Sequence, residues 1–111
     1  MENKENILIE ENFGLYETDI QKISDVFEKF SEIEEVILYG SRAKGNFKKY
    51  SDIDFCVLGE NLGQKLLFEI ELSLDDLMLP YVFDLNLMNR ISNSELLEHI
   101  SRVGKIFYQK S

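Results

Sequence analysis

Gly40-Ser41-Arg42-Ala43-Lys44-Gly45-Asn46-Phe47-Lys48-Lys49-Tyr50-Ser51-Asp52-Ile53-Asp54-Phe55-Cys56-Val57 is the stretch on which the reading of this chain turns. Just before it, Val36-Ile37-Leu38-Tyr39 is an apolar run that stops at Gly40, too short for a helix and typical of a buried strand. The far end of the stretch alternates. A strand over 52–58 would put Ile53, Phe55 and Val57 on one face and Asp52, Asp54 and Cys56 on the other, because strand side chains repeat every two residues. Two carboxylates therefore stand side by side on a strand that follows a glycine-flanked loop.

Outward from this centre, Thr18 and Gln21 form a capping-box pattern, and Ile20, Ile23, Phe27 and Phe30 recur at helical spacing. These residues predict a helix over about 18–31 with its acids facing water. Leu62, Leu66, Leu67, Ile70, Leu74 and Leu77 predict a second helix over roughly 62–78, closed by Pro80. Tyr81 to Met88 reads as a strand with Phe83, Leu85 and Leu87 opposite Val82, Asp84 and Asn86. Strand interiors rarely carry a free acid without reason, so Asp84 stands out. Ser92 and Glu95 form another capping box before Leu96, Leu97, Ile100 and Val103, and Gly104 stops that helix ahead of a short Ile106-Phe107-Tyr108 segment. The order helix, strand, strand, helix, strand, helix predicts an α/β domain with a small mixed sheet and helices packed on it. Residues 1–14 are polar around a short Ile7-Leu8-Ile9 run and read as an N-terminal arm, leaving 15–111 as one domain.

Composition narrows the possibilities. The 111 residues suffice for one compact domain with a core that needs no disulfide or structural metal. A single cysteine, no signal-peptide pattern and no apolar stretch long enough to span a bilayer predict a cytoplasmic protein without membrane insertion. The formal net charge of −9 argues against direct binding of long nucleic acids, which depends on clustered Lys and Arg. Residues 40–54 are the exception, with Arg42, Lys44, Lys48 and Lys49 against Asp52 and Asp54. This basic island reads either as solvated loop lysines or as part of a site for an anion.

Three familiar motifs fail on inspection. Gly40 to Gly45 has P-loop glycine spacing, but Asn46 and Phe47 stand where Lys and Ser/Thr are required. Asp52-x-Asp54 does not begin a calcium loop, since Val57 occupies the position of the turn glycine. Cys56 and His99 lack the context of a thiol nucleophile. Cys56 reads as a small buried residue and His99 as a surface or helix-face one.

What remains is Gly-Ser, ten intervening residues, Asp-x-Asp, and a third acid thirty residues beyond Asp54. This pattern resembles the nucleotidyltransferase superfamily built on the polymerase-beta-like palm. GSRAKGNFKKYSDIDFCV is similar to the signature of the minimal nucleotidyltransferases (MNT), which often act as antitoxins paired with HEPN-domain ribonuclease toxins. The resemblance covers most of residues 13 to 108, including the strand VFDLNLM and the closing ELLEHISRVGKIFY.

The resemblance implies transfer of AMP from ATP to a hydroxyl, with pyrophosphate leaving. For the antitoxin branch the acceptor would be a tyrosine of the partner toxin in a hetero-oligomer. It implies Asp52, Asp54 and Asp84 as catalytic and Mg2+-binding residues, two ions being expected, and Gly40, Ser41 and Arg42 as the nucleotide-binding group. The physical chemistry agrees: two metal ions held by carboxylates can activate the attacking oxygen and support the leaving one. Mg2+ keeps several waters, so Asp52 and Asp54 with substrate phosphates suffice for one ion and Asp84 can hold the second, and the resemblance also implies Asp84 as the group that takes the acceptor proton. Gly40 lets the backbone approach a phosphate, Ser41 adds a hydroxyl, and Arg42 offers either a planar fork to phosphate oxygens or only a solvated charge. Two other readings are an antitoxin that neutralises its toxin by contact alone, and AMP transfer to a small molecule.

Overall fold

The computed structural model describes residues 13–111. Helix α1 (Glu17–Glu28) leads to β1 (Ile33–Tyr39), the short α2 (Gly40–Lys44), β2 (Ile53–Gly59), α3 (Gln64–Asp75) and β3 (Phe83–Leu87). A 3-10 turn at Met88–Arg90, helix α4 (Ser94–Val103) and β4 (Lys105–Gln109) complete the chain. The strands form one sheet in the order β3-β2-β1-β4, with β1 antiparallel to both β2 and β4 and with β2 parallel to β3. The parallel pair needs a crossover, and α3 supplies it. The expected small mixed sheet with packed helices is what forms.

The period of two in β2 divides the core. Ile53, Phe55 and Val57 join Val36, Leu38, Leu85 and Leu87 beneath α1 and α3, which contribute Ile23, Val26, Phe27, Leu67, Ile70 and Leu74. Phe55 packs against Phe27 with ring centroids 5.2 Å apart and against Phe107 at 4.9 Å, both edge to face. Burying each such side chain contributes about 1.5–3 kcal/mol. On the opposite face Tyr39, Cys56 and Ile100 form a smaller cluster with Ile37, Met88, Ile91 and Leu96. Helix α4 therefore covers the face on which the acids of β2 and β3 lie.

Element ends depart from expectation for identifiable reasons. α1 starts at Glu17 after Tyr16, with no side-chain cap, so Thr18 lies inside the first turn and Gln21 donates instead to Asp25 at 2.9 Å. Its acids do not all face water, because Asp19 is buried and accepts a hydrogen bond from the Tyr81 hydroxyl at 3.3 Å. At α4 the cap falls one residue later than Ser92: Asn93 Oδ1 accepts from the Leu96 amide at 3.0 Å. β1 begins three residues before the apolar run, where Glu34 and Glu35 mask the pattern. The segment after Gly104 is a strand, since its backbone pairs with β1. Of the arm expected over 1–14, residues 1–12 lie outside the described residues. Phe13 and Gly14 pack on the body: the Phe13 ring lies 6.4 Å from that of Phe107, and a Cβ on Gly14 would overlap Phe47.

Candidate functional site

The carboxyl end of β1 and the amino ends of β2 and β3 meet at one end of the sheet. In the strand register Asp54 is opposite Tyr39 of β1 on one side and Asp84 of β3 on the other. Neighbouring strands are about 4.7–4.9 Å apart, so register partners on parallel strands present side chains to the same face. Asp54 and Asp84 are thereby adjacent across the sheet, and Asp52 precedes the first residue of β2. Asp52 and Asp84 are exposed and Asp54 is half-buried.

The charges of this cluster are felt most at Asp54. Burial, followed by the negative charges of Asp84 and Asp52, pushes its carboxyl up from 3.8 to about 6. Burial, opposed by a hydrogen bond with Asn86 and aided by the charges of Asp84 and Asp54, pushes the Tyr39 phenol up to about 12. Asn86 Nδ2 donates to the Tyr39 hydroxyl at 2.8 Å, tying β3 to β1 across β2 beside the acids. Cys56 is buried with its thiol pushed up to about 11, in keeping with its expected role as a small core residue.

Gly40 is where the strand turns into α2. Its φ of +75° is a conformation that L side chains rarely adopt, and a Cβ there would overlap Asp54 Oδ2. The missing Cβ is thus what lets the Asp54 carboxylate come close to the backbone at this turn. The Gly40 amide has no acceptor within α2, as at any helix start, and donates to Nε2 of His99 at 3.2 Å. Ser41, half-buried, follows in the first turn of α2.

Arg42 is not brought to the cluster. It is only 1% exposed, and its guanidinium is consumed by backbone carbonyls. Nε donates to Ser51 O at 3.1 Å, Nη1 to Phe13 O at 2.9 Å, and Nη2 to Lys49 O at 3.2 Å and Ser51 O at 3.0 Å. Its Cζ lies 5.3 Å from the centre of the Phe47 ring and 5.2 Å from that of Tyr81. The fork expected for phosphate oxygens instead fastens the loop that delivers Asp52, and burial lowers its pKa from the ordinary arginine value. Lys44, Lys48 and Lys49 are exposed around it.

The donor set suits a hard cation. Asp52, Asp54 and Asp84 offer oxygen ligands, and a cation among them would relieve the repulsion that lifts Asp54. Among the described residues no group of three or more His, Cys, Asp or Glu side chains is gathered closely enough to hold a metal ion, so the expected set of Asp52, Asp54 and Asp84 is not assembled as a three-carboxylate site. Mg2+ needs only one or two carboxylates when substrate phosphates and water supply the other ligands, and Asp54 with Asp84 offers such a pair.

The structure brings Asp54 beside Asp84 and sets the Gly40 turn against the Asp54 carboxylate; His99, which meets the Gly40 amide, was not among the residues expected at the site. His99 lies on the same helical stripe as Leu96, Ile100 and Val103, a spacing that already marks the inward face of α4.

Residues 21–111 match the family described as Polymerase beta, Nucleotidyltransferase. No curated protein sequence matches the chain. Among solved structures, a toxin-antitoxin with AMP-PNP is similar at 21% identity and a TM-score of 0.67, over 83% of this chain and 74% of that one. A tri-AMPylated Shewanella oneidensis HEPN toxin in complex with MNT antitoxin is similar at 21% identity and a TM-score of 0.63, over 84% and 71%. The toxin-antitoxin MntA-HepT is similar at 19% identity and a TM-score of 0.61, over 84% and 72%. At these identities the likeness is one of fold.

Proposed function

The chain belongs to the polymerase beta nucleotidyltransferase family, and on that premise we propose that it is an MNT antitoxin that transfers AMP from ATP to a tyrosine hydroxyl of a cognate HEPN toxin. The observation that carries the reading is the register of β2 against β3, which sets Asp54 beside Asp84 while Gly40 leaves room for the Asp54 carboxylate at the start of the Gly-Ser turn. The fold shared with toxin-antitoxin chains, one with AMP-PNP and one beside a tri-AMPylated HEPN toxin, supports the choice of nucleotide and acceptor.

In this reading the acceptor oxygen forms a bond to the α-phosphorus as the bond to the β-phosphate oxygen breaks, and pyrophosphate leaves. Asp84, exposed at the mouth of the site, takes the acceptor proton or shares in holding the cation. Asp52, Asp54 and Asp84 would hold Mg2+, two ions being the number this carboxylate set suits. When bound, Mg2+ neutralises charge on the phosphates and makes the acceptor hydroxyl easier to deprotonate. Ser41 contributes its hydroxyl to the phosphates, and Gly40 sets the turn. Arg42 acts indirectly, by holding the loop before Asp52. The chain's net charge of −9 favours encounter with a basic, RNA-binding partner, which raises association rate more than final affinity.

The test is the intact mass of the co-purified partner after incubation with Mg-ATP. Mass gain in AMP steps with wild type, absent with the Asp52→Asn/Asp54→Asn double variant, is the expected result. A partner whose mass does not change while its toxicity is still silenced overturns the proposal.

A further inference from the structure

A side chain from outside the signature reaches its first residue: His99 of α4 receives the Gly40 amide on Nε2 at 3.2 Å across 59 residues of sequence. An Nε2 that accepts is an Nε2 without a proton, so the neutral ring carries its hydrogen on Nδ1. The ring edge also meets Tyr39, with centroids 6.1 Å apart and planes at 81°. The neighbouring residue Ile100 is buried against Tyr39 and Cys56, which holds the helix in place and with it the imidazole. Tyr39 in turn is tied to β3 through Asn86.

Gly40 bears three constraints at once. Its φ is +75°, its Cα faces Asp54 Oδ2 too closely for a Cβ, and its amide is committed to His99. Any rotation of the 39–40 peptide that released the amide would swing the start of α2 relative to the Asp54 carboxylate. A helix start normally leaves such an amide to water or to a capping side chain, and α2 has no side-chain cap of its own. His99 is that missing acceptor, supplied from another element.

We propose that His99 is a positioning residue for the nucleotide site: by accepting the Gly40 amide it fixes the β1-to-α2 turn and so sets Ser41 and Asp54 in register with each other. The proposal rests on the reading of this site as a nucleotidyltransferase centre. His99 itself does not touch the reacting atoms. A misplacement of about 1 Å at such a site can cost on the order of a hundredfold in rate, so a single lost hydrogen bond here reaches the chemistry.

Two substitutions separate the acceptor from the ring. His99→Gln keeps an oxygen acceptor at the reach of Nε2 and loses the aromatic edge against Tyr39. His99→Phe keeps the edge and loses the acceptor. Four readouts are taken on the full chain with its co-purified partner: melting temperature, the affinity for a non-hydrolysable ATP analogue with Mg2+, the rate of transfer to the partner, and amide hydrogen exchange at Gly40. His99→Phe is expected to melt within a few degrees of wild type, to bind the analogue several-fold more weakly and to transfer about 10–100-fold more slowly. His99→Gln is expected to recover most of both losses. Amide hydrogen exchange at Gly40 should be faster in His99→Phe than in wild type or His99→Gln.

A His99→Phe protein equal to wild type in affinity and rate overturns the proposal, as does a His99→Gln protein impaired as much as His99→Phe, which would make ring packing the active feature. If wild type binds the analogue but modifies no partner, the proposed reaction falls while His99 is still judged by affinity and Gly40 exchange. A wild type that binds no nucleotide overturns both.

Discussion

Asp54→Asn is expected to stabilise the metal-free fold while it removes activity. The carboxyl is raised from 3.8 to about 6 by burial and by the charges of Asp84 and Asp52. For a wholly shielded group that rise corresponds to about 3 kcal/mol. Water reaches the half-buried side chain and screens its neighbours, which brings the cost of the charge to on the order of 1 kcal/mol. The sign follows from the direction of the shift. The folded state holds the proton more tightly than the unfolded one, so the cost is absent below about 3.8, grows as pH rises through the interval to about 6, and is complete above it. An amide of the same shape carries no such cost. With metal removed by EDTA, Asp54→Asn should therefore melt above wild type at pH 7.5 by roughly 4–8 °C per kcal/mol recovered, with the difference shrinking toward zero as the pH is lowered to about 4. Differential scanning calorimetry at the two pH values reads it directly. A variant that melts below wild type at pH 7.5, or a gain that does not shrink in acid, would refute the claim that like charge and burial are stored at Asp54.

Other outcomes follow from the same geometry. Gly40→Ala introduces a Cβ that overlaps Asp54 Oδ2 at a positive φ, and should cost about 1–3 kcal/mol in chemical denaturation as well as most of the transfer rate. Arg42→Lys loses the fork shared among Phe13, Lys49 and Ser51 carbonyls, so its chief effect should be a lower denaturation midpoint, by roughly 1.5–3 kcal/mol. An Arg42→Lys protein of wild-type stability with a raised KM for nucleotide would restore the phosphate contact expected from sequence. Chelation by EDTA should abolish modification of the partner and be reversed by added Mg2+, whereas inhibition by contact alone would survive it.

The parts of the site that lie on strands were legible because the strand period is short. Asp54 and Asp84, each within an apolar alternation, could be placed on sheet faces without knowing how the strands pair, whereas Asp52, expected on the same strand as Asp54, lies just before its first residue. Their adjacency could not: it depends on β2 and β3 lying parallel in a register that sets Asp54 opposite Asp84. Arg42 was misread because its partners are carbonyls at 13, 49 and 51 and rings at 47 and 81, contacts to which no local pattern points. His99 escaped because its contact with Gly40 is set by how α4 lies on the sheet, although the stripe of Leu96, Ile100 and Val103 already turned it inward. β4 was seen only as an apolar segment since its exposed residues, Ile106 among them, break the alternation of a buried strand. The caps moved by one or two residues because side chains at 16–21 and 92–95 offer several rival starts, and packing chose among them.

In the proposed reaction a nucleoside monophosphate, and not a phosphate, leaves this site on an acceptor hydroxyl. The most direct measurement gives the chain and its co-purified partner Mg-ATP labelled either in the α-phosphate or in the γ-phosphate, and follows which label becomes protein-bound. Label from the α-phosphate alone, lost in Asp52→Asn/Asp54→Asn, is the expected result. Label from the γ-phosphate, or from neither, would contradict the account.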